Sequence, residues 1–189
     1  MRPAFSGVKP RAMCKCADDP QHPAKMRTYF AYGSNLCLPR LISRVPSARF
    51  VAIAKLPDFK LTFHKRSEDG SGKATVVRSP KETVYGALFE FEDIHLDALR
   101  KAEGYPKHYS ETENFPFNTL DGECKAMTYV ATQQFFDTAQ VPYDWYVDLI
   151  RFGARRVGLP ESYVTQFDTI VTKQDQDLSR AARERSFLR

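Results

Sequence analysis

The chain has 189 residues, 42% hydrophobic and 13% aromatic, the make-up of one globular domain with a sizeable core rather than a disordered or fibrous chain. Its formal net charge of +5 sits at the ends: residues 1–27 hold six Lys/Arg against two Asp/Glu, residues 173–189 hold five against three, and residues 28–172 come to −1. A nucleic-acid-binding domain carries its basic stripe on the folded surface, so that class is set aside, and no run approaches the roughly 18 apolar residues of a membrane span.

Residues 1–27 are charged, Pro-containing and aperiodic, and read as a flexible N-terminal arm. They lack the apolar core of a secretory signal, which makes the cytosol the expected address. Thr28 to Tyr32 reads as a buried first strand, followed by the turn formers Gly33-Ser34-Asn35. Pro39 opens a short helical segment reaching Val45. Strand-like runs then follow at 48–56, 59–64, 73–79 and 83–91, with the polar loop 65–72 between two of them. Asp93 is placed to cap a helix that runs to Glu103, and Gly104 stands where a left-handed C-terminal residue is wanted. Two further strands fit 108–115 and 123–132.

Pro142 introduces the clearest helix, whose Trp145, Tyr146, Leu149, Ile150, Gly153 and Val157 fall on one face. Gly158 and Pro160 end it. Residues 161–171 suit another short helix, and 173–189 read as a polar C-terminal tail. Strands in succession with helices inserted late predict an α+β domain over 28–172, with seven strands curled into a small mixed β-barrel and helices flanking it.

Metal chemistry finds little support. Cys14 and Cys16 are separated by one residue, Cys37 and Cys124 stand alone, and the four histidines (His22, His64, His95, His108) are scattered. In a cytosolic chain such cysteines are reduced.

Glu103 is the acidic residue that asks for an explanation. Leu96 and Leu99 precede it by seven and four residues, so a carboxylate shares an apolar helix face. Held in a pocket, such a group suits a general base; at a solvent edge it would be an ordinary ion-paired helix end. The bend at Gly33 admits close approach of a ligand and left-handed angles, and successive N–H groups there can face one anion. Ser34 and Asn35 can hold that turn through side-chain-to-backbone bonds. The Gly-Lys-Ser/Thr ending of a phosphate loop is absent. Ser34 as a hydrolase nucleophile lacks the second glycine of a nucleophile elbow and a placed His. Cys37 lacks an activating neighbour, and His108 reads as structural.

YFAYGSNL at 29–36, EGY at 103–105 and YVDLIRFGARRVGLPESY at 146–163 resemble, in order, three landmark segments of the gamma-glutamylcyclotransferase family. The resemblance spans roughly residues 28–172. It implies a mixed barrel with a cavity and cleavage of a small-molecule gamma-glutamyl amide to 5-oxoproline, releasing an amino acid or amine. By that likeness Glu103 is the catalytic proton acceptor. Tyr29, Phe30, Ala31, Tyr32, Gly33, Ser34 and Asn35 form the loop that grips the glutamyl group, Tyr146 closes the pocket and Tyr129 lines it. Asn35 sides with the general branch, since the glutathione-specific branch usually has Leu there. The resemblance implies no metal or cofactor, and it implies a homodimer. A non-catalytic ligand-binding module on the same barrel is the alternative, and a carboxylate at Glu103 argues against it when the ligand is anionic.

Overall fold

The computed structural model describes residues 24–189. Most of the predicted N-terminal arm, with Cys14, Cys16 and His22, therefore lies outside the described residues. The first strand, β1, is Met26–Ala31, starting two residues earlier than the pattern predicts.

The seven predicted runs resolve into five strands. β2 (Arg49–Arg66) and β3 (Gly72–Glu92) each join two of the runs, while β4 (Tyr109–Thr119) and β5 (Gly122–Ala131) match the last two. Pro57-Asp58 and Pro80-Lys81 read as breaks in the sequence and are irregularities inside continuous strands. The β2–β3 register shifts between Pro57 and Phe59. Asp58 and Lys81 take positive φ of 60° and 71°, and the Lys81 N–H donates to Asp58 Oδ1 at 3.1 Å. A bulge bends a strand and increases its twist without ending it, so apolar runs alone count the two halves as separate.

The strand order β1–β3–β2–β4–β5 closes on itself. Its narrow seams are the parallel pair Tyr29↔Met127 and the antiparallel pair Lys55↔Asn118. Inside, Phe30 stacks on Phe117 with ring centroids 4.1 Å apart; Phe89 and Phe91, in register with Tyr29 and Arg27, are fully buried on the other face of β3.

Five helices flank the sheet: α1 (Leu38–Ile42), α2 (Leu96–Glu103), α3 (Asp144–Val157), α4 (Glu161–Val164) and α5 (Leu178–Arg185). The predicted cap at Asp93 does not form. A 3₁₀ turn, Asp93–His95, precedes α2 without a side-chain cap, and Asp93 instead pairs with Arg27 of β1. α3 buries the predicted face and ends at Gly158, which has φ 82°. It also lies directly on the turn after β1. A Cβ on Gly153 would stand 2.2 Å from the Leu36 carbonyl carbon and 2.3 Å from the Cys37 nitrogen, both rigid backbone.

The predicted polar tail is packed. Asp175 is only 4% exposed; it accepts the Trp145 indole N–H at 2.9 Å and the Arg180 Nε–H at 2.6 Å. Ala181 is buried against the core, and Arg40 Nε of the α1 helix donates to Glu184 of α5 at 2.9 Å. These contacts carry the packed unit past residue 172. Asp and Arg at i, i+5 with one buried alanine leave no amphipathic signature, so composition reads the segment as solvent-facing.

Gly153→Ala should lower stability by about 1–3 kcal/mol through overpacking, a cost larger than the ~1 kcal/mol that Ala gains over Gly in a helix. A thermal melt at or above the wild-type midpoint would show that α3 can shift cheaply. Asp175→Ala leaves Arg180 and the indole without their acceptor and should cost about 3 kcal/mol. The Arg180 hydrogen bonds hold the Asp175 carboxyl well below the usual range. Because folding lowers this pKa, the stabilisation is whole above the unfolded value of about 3.9 and disappears as pH falls through the folded value. Melts of wild type and variant should therefore differ most at neutral pH and converge in strong acid.

Candidate active site

β1 delivers the chain to a 3₁₀ turn, Ser34–Leu36, closed by the Leu36 N–H on the Gly33 carbonyl at 2.9 Å. The N–H groups of Ser34 and Asn35 have no acceptor among the described residues. Gly33 does not use the left-handed region, its φ being −106°. What it supplies is close approach: an added Cβ would stand 3.1 Å from Ala74 Cβ and 3.4 Å from the Tyr146 hydroxyl. Asn35 holds no backbone turn with its side chain. Its Nδ2 donates to the Tyr29 hydroxyl at 3.1 Å and to Glu103 Oε1 at 2.8 Å.

Glu103 arrives as the last residue of α2, over Leu96 and the fully buried Leu99. Gly104, with φ 68°, ends the helix there, and the Tyr105 N–H folds back to the Arg100 carbonyl at 3.0 Å. The Glu103 side chain is 14% exposed, with Arg44 Nη1 at 3.8 Å from Oε1. Arg44 also donates to Asn35 Oδ1 at 3.0 Å. Both partners meet Oε1, and Oε2 takes no hydrogen bond from the described residues.

An inner cavity of about 30 Å³ lies between Glu103 and the turn, walled by Tyr29, Tyr32, Gly33, Ser34, Asn35, Ala74, Tyr109, Tyr129 and Tyr146. An adjoining cavity of about 110 Å³ shares Ser34, Glu103, Tyr109 and Tyr146 with it and adds Arg40, Arg44, Lys65 and Lys73. Hydrogen bonds fix the phenols. Tyr146 accepts the Ala74 N–H at 3.1 Å, Tyr109 donates to the Ala74 carbonyl at 2.8 Å, and Tyr32 donates to the Tyr129 carbonyl. Tyr129 donates to Glu111 at 2.7 Å, which Arg100 holds with two bonds. Burial pushes Tyr29, Tyr32, Tyr109, Tyr129 and Tyr146 up from the ordinary phenol value, so at neutral pH all five are uncharged. Glu103 is the one carboxylate lining the inner cavity.

This arrangement has counterparts in known proteins. The AIG2-like family model matches residues 83–167. The gamma-glutamylcyclotransferase of Bos taurus is 33% identical over 82% of this chain and 84% of its own length. The chain belongs to the gamma-glutamylcyclotransferase family. The gamma-glutamylcyclotransferase of Homo sapiens is likewise 33% identical, over 75% of this chain and 77% of that protein. A solved structure titled gamma-glutamyl cyclotransferase superposes with a TM-score of 0.73 at 30% identity, covering 85% of this chain and 99% of that one. The named relatives are enzymes, and the α+β fold with its flanking helices is the family's.

Of the predicted site residues, Glu103, Tyr29, Tyr32, Gly33, Ser34, Asn35, Tyr129 and Tyr146 meet at the inner cavity. Phe30 and Ala31 do not line it: Phe30 turns into the barrel core against Phe117, and Ala31, on the Tyr29 side of the strand, is fully buried at its end. Strand alternation separates Phe30 from Tyr29. Sequence reasoning missed Arg44, Tyr109, Lys65, Lys73 and Arg40. Arg44 follows the turn closely in the chain, yet nothing in its spacing marks it. Among the described residues no group of three or more His, Cys, Asp or Glu is arranged to hold a metal ion.

The Asn35 tie to Glu103 yields a test. Hydrogen bonds to charged groups contribute about 1.5–3 kcal/mol, so Asn35→Ala should lower the melting midpoint and, at a temperature where the variant is still folded, lower kcat roughly ten-fold or more. Unchanged steady-state kinetics would mean the tie does not orient the carboxylate.

Proposed function

We propose that this protein is a gamma-glutamylcyclotransferase that converts gamma-glutamyl amino acids or amines to 5-oxoproline, with Glu103 as the proton acceptor. The observation carrying this is a carboxylate at a half-open cavity among neutral phenols, beside a turn with free N–H groups. The substrate brings its own nucleophile, the alpha-amine, a few bonds from its gamma-carbonyl. The enzyme needs to fold it, deprotonate it and steady the charge that develops.

Glu103 takes a proton from the alpha-ammonium, and the freed lone pair attacks the gamma-carbonyl carbon to form the five-membered lactam. The carbonyl oxygen gains negative charge, and in this reading the N–H groups of Ser34 and Asn35, free of other acceptors, donate to it. As the carbonyl re-forms, the bond to the leaving nitrogen breaks and Glu103 returns its proton there. Closure leaves one more proton in excess on the ring nitrogen. It passes through the regenerated carboxylate and departs with the amine. Holding the two reacting groups in contact contributes several kcal/mol, up to about 7–11 in ideal cases, and positioned proton transfer adds about 10²–10⁴ in rate.

The inner cavity of about 30 Å³ holds little more than two waters, so a glutamyl group extends beyond it to where the two cavities meet at Glu103. The grip assigned to the turn around Gly33, the closing role of Tyr146 and the lining role of Tyr129 belong to this same reading. A dimeric, cytosolic enzyme is part of the same proposal. Among the described residues no helix is long and apolar enough to cross a membrane, and Cys37 and Cys124 are free thiols.

The test is Glu103→Gln, assayed for 5-oxoproline across a panel of gamma-glutamyl compounds. Turnover should drop by at least about 10²-fold while substrate affinity stays within a few-fold of wild type. A variant as fast as wild type would end the general-base account, and no product from any compound with wild-type protein would favour a binding module.

A further inference from the structure

Four cations line the outer cavity: Arg40, Arg44, Lys65 and Lys73. Three of them face a carboxylate. Arg40 meets Glu184 at 2.9 Å, Arg44 meets Glu103 at 3.8 Å, and Lys73 meets Asp69 at 2.7 Å. Lys65, near the end of β2, is 5% exposed as a residue, lines the outer cavity and has neither a hydrogen-bond acceptor nor an ion-pair partner among the described residues, and its Nζ is not one of the fully buried unpartnered atoms. Its Nζ rests 5.3 Å from the centroid of the Tyr109 ring. Beside it, Arg40 is 6% exposed and its Nη1 is buried with no hydrogen-bond partner.

A guanidinium nitrogen buried without a partner is costly, and an ammonium that reaches a cavity on a mostly buried side chain, with no protein acceptor, is free to take one from a ligand. Two such donors in one cavity call for an anionic group with at least two oxygens. Within the gamma-glutamyl reading proposed above, the substrate offers two carboxylates. One is on the glutamyl group, next to the amine that Glu103 deprotonates. The other, when the leaving group is an amino acid, lies beyond the bond that breaks. Ser34 and Asn35, whose N–H groups have no acceptor among the described residues, line the inner cavity, and Glu103 lines both cavities, so within this reading the glutamyl end reacts where the two meet and the leaving group extends into the outer one.

We infer that Lys65, with Arg40 Nη1, binds the carboxylate of the leaving group and so sets the preference between gamma-glutamyl amino acids and gamma-glutamyl amines. Lys65 is a specificity residue in this assignment and takes no part in proton transfer.

The test compares gamma-glutamyl-alanine with gamma-glutamyl-ethylamide, whose leaving groups differ only by the carboxylate. Lys65→Met should lower kcat/KM for the alanine compound about ten-fold or more, chiefly through KM, and change it less than about two-fold for the ethylamide. Lys65→Arg should restore part of the preference. Melting curves check the fold; replacing an unpaired charge by an apolar chain of similar length should leave the midpoint level or raise it. Equal losses on both compounds would overturn the assignment and give Lys65 to the glutamyl carboxylate, and no loss on either would remove it from binding. Titrating both compounds onto the Glu103→Gln protein, with and without Lys65→Met, reads the same split as a ratio of Kd values. Absence of turnover in wild type therefore counts against cyclotransfer alone, while an unsplit Kd ratio counts against the role of Lys65.

Discussion

The hydrogen bond from Asn35 Nδ2 to Glu103 Oε1, 2.8 Å long, joins two segments 68 residues apart in sequence. One is the turn that follows β1, the other the last residue of α2. Neither segment would hold its side chain in place alone, because one is a single 3₁₀ turn and the other a helix end, where fraying begins. The bond and the nearby Arg44 guanidinium both address Oε1, which leaves Oε2 without a hydrogen bond among the described residues. Backbone chemistry brings the pair together: Gly104 in the left-handed region stops α2 at Glu103, and the bare Cα of Gly153 lets α3 press on Leu36 and Cys37.

Charge in the cleft is divided between two compartments. Five buried phenols in the inner one are uncharged at neutral pH, so they can donate or accept hydrogen bonds without competing with Glu103 for a proton. The outer one collects cations, and burial pushes Lys73 down to about 8 despite its bond to Asp69. A neutral compartment suits deprotonation of an ammonium; a cationic one suits an anion.

What can be read from the sequence follows from how local each signal is. Gly104 and Gly158 end their helices as the residue type demands, and the apolar face of α3 is a matter of spacing. Glu103 stands out because one carboxylate interrupts one helix face. Apolar patterning splits β2 and β3 in two because Pro57 and Lys81 mark bulges that only pairing with a neighbour can carry through. Phe30 enters the predicted site with its neighbours, although a strand sends alternate side chains to opposite faces. Lys65 and Arg40 leave no trace, since their meaning lies in the acceptors they lack, which is a property of three-dimensional surroundings.

The C-terminal segment shows the same limit from the other side. Its polarity predicts exposure, yet those polar groups hold the wall of the cleft. Lys173 Nζ donates to the Gly70 carbonyl at 2.7 Å and the Tyr143 hydroxyl donates to the Asp69 carbonyl at 2.7 Å, fastening the loop between β2 and β3. That loop's Asp69 holds Lys73, and the strands on either side supply Lys65 and Ala74. Asp175 meanwhile fixes the Trp145 indole, one residue from Tyr146, whose hydroxyl takes the Ala74 N–H. The side chains of Lys173 and Asp175 are thus bonded to a backbone carbonyl and an indole at the rear of the cavity. A segment can be polar because it faces water or because it ties other elements together, and composition alone does not separate the two.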